Sequence, residues 1–158
     1  MARDPHSQVK DKKVMKRKVL FLCTGNSARS QMAEAIVNAK CSDEWEASSA
    51  GTHPTGYVHP NAVRALAEIS IHHVGRSKHA DEFRHIPFDL VVTVCDDAAE
   101  NCPVWLGKGR RIHVGFPDPA KAMGAEAEQM EVFRRVRDDI ARKVLELLRE
   151  EAAPGQRP

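Results

Sequence analysis

Cys23 and Arg29 stand six positions apart, with Thr24, Gly25, Asn26, Ser27 and Ala28 between them and Ser30 immediately after. That spacing puts a sulfur nucleophile and a guanidinium on one short loop. Gly25, Asn26 and Ser27 tolerate the tight backbone that turns N–H groups inward, and successive inward amides make an anion cradle. The Arg29 guanidinium can grip two oxygens of a tetrahedral oxyanion at once. The same positive field favours a thiolate at Cys23, which would then lie as a nucleophile beneath the bound anion. Ser27 or Ser30 can donate a hydrogen bond to that thiolate, and Asn26 can lock the loop. A cysteine at the end of an apolar run is, taken alone, a small buried hydrophobe. The succession of strand, loop and helix around this one points to chemistry.

Other residues could join it. Cys95 and Cys102 bracket Asp96–Asn101, and if that segment is a short helix, residues seven apart lie about 10.5 Å apart at ~1.5 Å per residue. Disulfide partners need Cα atoms within ~7 Å, so these two could pair only if the helix unwinds. Asp118 precedes Pro119, a pairing that by itself is turn chemistry. His72, His73, His79 and His85 crowd the polar stretch from Ser70 to His85. They offer no i, i+4 pair on a clear helix and no known ligand pattern beyond nearby Asp81 and Glu82, so no protein-built metal site is expected. Cys41 reads as structural or incidental, since nothing near it in sequence supplies positive charge.

The elements that must position these groups alternate. Val19–Leu22 is a short apolar run suited to a strand buried on both faces, and a helix follows from about Ser30 to Lys40, burying Met32, Ala35, Ile36 and Ala39. Trp45–Ser49 is the second expected strand, closed by Ser49-Ala50-Gly51-Thr52. Pro54, Gly56 and Pro60 mark a loop before a helix from about Asn61 to Ile69, with Val63, Leu66 and Ala67 inward. Phe88–Val94 and Arg111–Val114 are further strands. Gly124–Glu151 reads as a long amphipathic helix with Val132, Phe133, Val136, Ile140, Val144, Leu147 and Leu148 on one stripe. Such alternation predicts an α/β fold with a parallel sheet whose right-handed crossovers bring the strand C-termini to one edge. Cys95 would then share the rim with Cys23, where open α/β sheets bind ligands.

The 158 residues suit one domain, and 42% apolar and 29% charged residues are ordinary for a globular chain. A formal charge of +2 argues for no polyanionic partner. The local excess at Lys10, Lys12, Lys13, Lys16, Arg17 and Lys18 lacks interleaved aromatics, so no nucleic-acid binding is expected. No apolar run approaches the ~18 residues of a membrane span and no signal core opens the chain, which points to no membrane association and a cytoplasmic location. Four cysteines are too few for a disulfide scaffold and fit catalysis, redox work or metal. Residues 1–15 read as a disordered basic tail, 16–151 as the folded domain and 152–158 as a second disordered tail.

The C-x5-R-S loop after the first strand resembles that of the low-molecular-weight protein tyrosine phosphatase superfamily. The fuller string Cys-Thr-Gly-Asn-Ser-Ala-Arg-Ser-Gln-Met-Ala-Glu resembles its thioredoxin-coupled arsenate reductase branch, and the likeness runs from about Lys18 to about Val144. It implies a single three-layer domain with a four-stranded parallel sheet in the order 2-1-3-4, helices on both faces, and a monomer. It implies that Thr24 to Ser30 bind the oxyanion, that Cys23 attacks it and that Asp118 protonates the leaving oxygen. Cys95 and then Cys102 would resolve the adduct, with thioredoxin or a similar reductant closing the cycle and no bound cofactor. Phosphate or sulfate would compete with arsenate.

Two other readings stay open. A phosphatase would use the same loop and the same Cys and Asp, yet the phosphatases usually place aromatics just after the D-P pair, where this chain has Ala120-Lys121-Ala122. They also need no equivalent of Cys95 and Cys102. A non-catalytic thiol-metal or oxyanion sensor would need a DNA-reading helix that the sequence does not supply. In some relatives of the reductase branch, residues matching Asn26, Glu34, Ser49 and a later carboxylate tether a monovalent cation. Lys78 stands in place of that carboxylate here, so the ammonium itself would supply the charge and potassium would have no effect. The segment after Phe116 and the tryptophan at Trp105 also depart from those relatives.

Overall fold

A computed structural model describes residues 15–96 and 104–151. Its centre is strand β1 (Arg17–Cys23), whose residues from Val19 onward are buried. The side chains alternate between two cores, as a strand's period of two requires. Val19, Phe21 and Cys23 face the larger core, and Leu20 and Leu22 face the smaller one. A strand covered on both sides must be apolar throughout, which is why this run reads so plainly.

β1 pairs in parallel with β2 (Trp45–Gly51) on one side and β3 (Leu90–Thr93) on the other, and β4 (Arg110–His113) completes the order β2-β1-β3-β4. The larger core is filled from three helices, α1 (Arg29–Lys40), α2 (Pro60–Glu68) and α3 (Glu126–Glu150). The opposite face is covered by the 3-10 turn Ala80–Phe83 together with Phe88 and Trp105, which pack as an edge-on aromatic pair. The parallel sheet and its order 2-1-3-4 are those expected; among the described residues the three α-helices lie on one face, and the other is covered by the 3-10 turn in place of a helix.

Two inward assignments are corrected. Ala67 is exposed and Ala65 is buried in its place, because the α2 stripe runs through Asn61, Ala62, Ala65 and Leu66 at helical spacing and Ala67 points away from it. Ala39 is likewise exposed. It lies in the last turn of α1, beyond the packed stripe that ends at Val37. There Asn38 ties the helix to β2 by exchanging hydrogen bonds with the Ala47 backbone, 2.9 and 3.1 Å.

Strand order decides where the chemistry can sit. Cys23 ends β1, Val94 N–H donates to Leu22 O (2.8 Å), and Cys95 follows in the next position. Both sulfurs therefore belong to the C-terminal rim and to the same core. The helix expected over Asp96–Asn101 falls outside the described residues apart from Asp96, which is not helical.

Candidate active site

The loop from Thr24 to Ala28 is built by what happens to its carbonyls. His53 N–H donates to Thr24 O (2.9 Å), Thr55 N–H to Gly25 O (3.0 Å), His59 N–H to Ser27 O (2.9 Å) and Met32 N–H to Ala28 O (2.8 Å). The Gln31 side-chain amide takes Asn26 O at 3.1 Å, and Ser77 adds a second donor to Gly25 O at 3.2 Å. All five carbonyls thus have hydrogen-bond donors from the surrounding fold, and Asn26 N–H turns toward the Cys23 sulfur, as an inward-facing amide loop requires. No side-chain hydrogen bond caps α1 at Ala28, so the positive end of the helix faces the loop. Gly51 is required by this backing: a Cβ there would lie 2.4 Å from Thr24 O.

Cys23 lies under that loop, 1% exposed and with a free thiol. Asn26 N–H donates to Sγ at 3.3 Å, and Ser30 Oγ lies 2.8 Å from it. Asn26 Nδ2 donates to Ser30 Oγ (2.8 Å), so the serine oxygen is already an acceptor and its own proton is the one available to the sulfur. Of the two serines read as donors, the structure selects Ser30. Asn26 adopts φ +49°, a left-handed conformation uncommon outside glycine. Its side chain holds it there, with Oδ1 accepting from Gln31 Nε2 (3.1 Å) and from Lys78 N–H (2.9 Å).

Arg29 opens α1 and is buried. It donates to Phe116 O (3.3 Å) and faces Asp118 Oδ2 at 3.7 Å. This pair joins the anion loop to the loop after β4. Asp118 caps the 3-10 turn Pro119–Lys121, with Oδ1 accepting from Ala120 N–H at 3.0 Å, and its side chain keeps 22% exposure. One carboxylate oxygen thus makes the turn expected of an Asp-Pro pair, and the other faces the anion loop's arginine. His59 caps α2 through Nδ1, which accepts from Asn61 N–H (3.1 Å), so its neutral form carries the proton on Nε2. Burial pulls His59 below its usual titration range, while the negative charge of Asp118 opposes that shift.

Cys95 is buried and disulfide-bonded, whereas Cys23 and Cys41 carry free thiols. Cys102 lies outside the described residues.

Residues 18–154 match the family described as low molecular weight phosphotyrosine protein phosphatase. A protein of Shouchella clausii named arsenate reductase is 46% identical over 133 residues, 82% of this chain and 93% of its own. The chain belongs to the low molecular weight phosphotyrosine protein phosphatase family. Among solved structures of this family's fold, an arsenate reductase from Archaeoglobus fulgidus superposes with a TM-score of 0.59 at 33% identity, covering 80% of this chain and 98% of that one. A low molecular weight protein tyrosine phosphatase from T. tengcongensis superposes with a TM-score of 0.67 at 26% identity, covering 85% and 99%.

Lys78 decides whether the cation site considered from the resemblance can form in this chain. Its Nζ lies 3.7 Å from Glu34 Oε1, 3.5 Å from Ser49 Oγ and 2.8 Å from Arg76 O, largely buried behind the anion loop. Burial pulls the ammonium below its usual titration range and the Glu34 charge opposes this. A resident monovalent cation does not fit these residues, because it would meet a like charge among the same oxygens. Among the described residues no group of three or more His, Cys, Asp or Glu is placed to hold a metal ion.

Sequence reasoning missed Gln31, His59 and His73. Gln31 is fully buried and spends its amide on the loop, and His73 Nε2 lies 2.8 Å from Gln31 Oε1. A polar glutamine set just before the apolar run Met32, Ala35, Ile36 and Val37 of α1 is the signal that would have found the first. Nothing in sequence distinguishes His73 from its three neighbours.

Proposed function

We propose that this chain is an arsenate reductase that works by a cysteine relay in the cytoplasm. The supporting observation is the juxtaposition of a free Cys23, under a loop whose five carbonyls are all taken by hydrogen-bond donors, with Cys95 just after the adjacent parallel strand. Thr24 to Ser30 hold the oxyanion, and Arg29 grips two of its oxygens. The Cys23 thiolate attacks arsenic, and the departing oxygen takes a proton from Asp118 and leaves as water. Cys95 then attacks the sulfur of Cys23. The S–As bonding pair passes to arsenic, which leaves as arsenite, and a Cys23–Cys95 disulfide remains. Cys102 attacks Cys95, freeing the Cys23 thiol, and a thioredoxin dithiol reduces the Cys95–Cys102 bridge.

Electrons come from thiols, so the reaction needs no bound cofactor, and the chain acts as a monomer. The test is arsenate-dependent NADPH oxidation coupled through thioredoxin and thioredoxin reductase. Wild type should turn over many times, C23S should be inactive, and C102S should stall after about one turnover. Sustained turnover by C102S at the wild-type rate would exclude the relay.

Hydrolysis of phosphate monoesters through a phosphocysteine is the second reading, since Cys23, Arg29 and Asp118 serve it equally and the chain superposes on a phosphatase. The turn after Asp118 offers only Ala120, Lys121 and Ala122, with no ring to clamp an aryl ester. Aryl phosphate hydrolysis that proceeds unchanged in C95S and C102S, with no arsenate-dependent NADPH oxidation in the wild type, would favour it.

A further inference from the structure

His73 lies outside the loop, the acid and the resolving cysteines, yet hydrogen bonds run from it to the nucleophile without a break. His73 Nε2 meets Gln31 Oε1 (2.8 Å) and Gln31 Nε2 meets Asn26 Oδ1 (3.1 Å). Asn26 Nδ2 meets Ser30 Oγ (2.8 Å), and Ser30 Oγ meets Cys23 Sγ (2.8 Å). Each amide has one orientation that satisfies its neighbours. Gln31 Nε2 faces three oxygens, Asn26 O, Asn26 Oδ1 and Arg76 O, so its Oε1 must point the other way. That oxygen belongs to a fully buried side chain and needs a donor, which His73 supplies. Nε2 carries a proton in the cation and in the neutral tautomer this bond selects, so the donation persists in either charge state.

We infer that His73 is a positioning residue for Cys23: it fixes the Gln31 amide, which orients Asn26, which directs the Ser30 hydroxyl proton onto the sulfur. Without that donor Gln31 would leave a buried oxygen unpaired or flip and set its oxygen against three others. Gly75 makes the contact possible. A Cβ at this position would lie 2.4 Å from His73 Nε2 and 2.5 Å from Gln31 Oε1, in the space the bond occupies.

The inference rests on Cys23 being the nucleophile, but its test reads the sulfur directly and needs no arsenate turnover. The alkylation rate of Cys23 by iodoacetamide at neutral pH, measured by mass on the peptide that carries it, should fall about 3- to 10-fold in His73→Phe, the range expected for one mis-set hydrogen bond. His73→Gln, which keeps a donor at similar reach, should stay within about twofold of wild type. Gly75→Ala reaches the same contact from the other side and should slow alkylation as His73→Phe does, with no further loss when the two are combined. If His73→Phe does not fold, as judged by circular dichroism, Gly75→Ala and His73→Gln carry the test. Wild-type alkylation rates in folded His73→Phe and Gly75→Ala would overturn the inference. So would a His73→Gln rate as low as that of His73→Phe, which would reduce the residue to a matter of shape.

Discussion

Helix α1 has a cysteine at each end, and the two sulfurs have opposite surroundings. Cys23 lies one loop before its N-terminus, where the backbone presents N–H groups, and receives Asn26 N–H and the Ser30 hydroxyl. Cys41 caps the C-terminus, where the helix presents carbonyls, and its own N–H closes the last turn on Val37 O at 2.8 Å. Burial pushes the Cys41 thiol up, and Glu44 adds to the shift. Arg149 opposes it, a positive neighbour supplied by α3 that the local sequence did not disclose. Cys23 is nevertheless the more deeply buried of the two. On the proposed function, it is the polarity of the backbone around the sulfur, rather than its access to water, that sets the two cysteines apart.

The sharpest way to break this contrast is to remove each sulfur in turn. C23S should lower arsenate-dependent turnover roughly 10³-fold or more, the scale of losing a nucleophile. C41S should remain within about twofold in the same coupled assay, because Cys41 lies at the opposite end of α1 from the anion loop. Comparable losses in both variants would show that the two ends of α1 are not distinct in the way described.

Asp118 separates the chemistry of the bound anion from the state of the sulfur. Its carboxylate faces Arg29 and its own turn, and Cys23 takes its hydrogen bonds from other groups. D118N should therefore reduce kcat for arsenate about 10²-fold, a typical value for a lost general acid, while Cys23 alkylates at the wild-type rate. An equal fall in both would place Asp118 in the support of the thiolate instead.

The charge behind the loop is a smaller effect. With the Lys78 ammonium set against Glu34 and Ser49, wild-type kcat/KM should be the same in potassium and in a bulky organic cation at matched ionic strength. Lys78→Asp removes the ammonium and adds a carboxylate, so activity should fall in the organic cation and recover at least in part with potassium. A several-fold potassium effect on the wild type would contradict the assignment of that charge to Lys78.

Which parts of this site could be read in advance depended on whether a signal was local. The apolar run of β1 and the C-x5-R-S spacing announce themselves within a dozen residues, because a doubly covered strand and an anion loop each require residue types in immediate succession. The rim position of Cys95 followed from strand alternation, since parallel crossovers leave few choices. His73 and Lys78 could not be assigned contacts this way. They meet Gln31 and Glu34 across more than forty positions of chain, through a segment without regular hydrogen bonding. His59 was hidden for a different reason: Asn, Asp, Ser and Thr are the side chains expected at a helix N-cap, and an imidazole in that role carries no sequence signal.

The smallest expected effect is on stability, and its sign follows from two of these histidines. Burial holds both His59 and His73 below their usual range. Asp118 opposes the shift at the first, and at the second Glu34 opposes while Lys78 reinforces it. A folded-state value below the unfolded one means that the unfolded chain binds more protons as pH falls through this window. The stability involved is fully present above the unfolded histidine value of about 6.5 and is lost as pH drops through the folded values. The urea midpoint should therefore be level from about pH 7 to 8 and decline between about pH 6.5 and 5, before most carboxylates begin to titrate. Both rings are partly exposed, so the decline should be shallow. His59→Asn keeps an N-cap and His73→Gln keeps a donor, and together they should flatten it. An unchanged slope in that double variant would assign the acid sensitivity to other groups and leave the two ends of α1 equally indifferent to pH in this range.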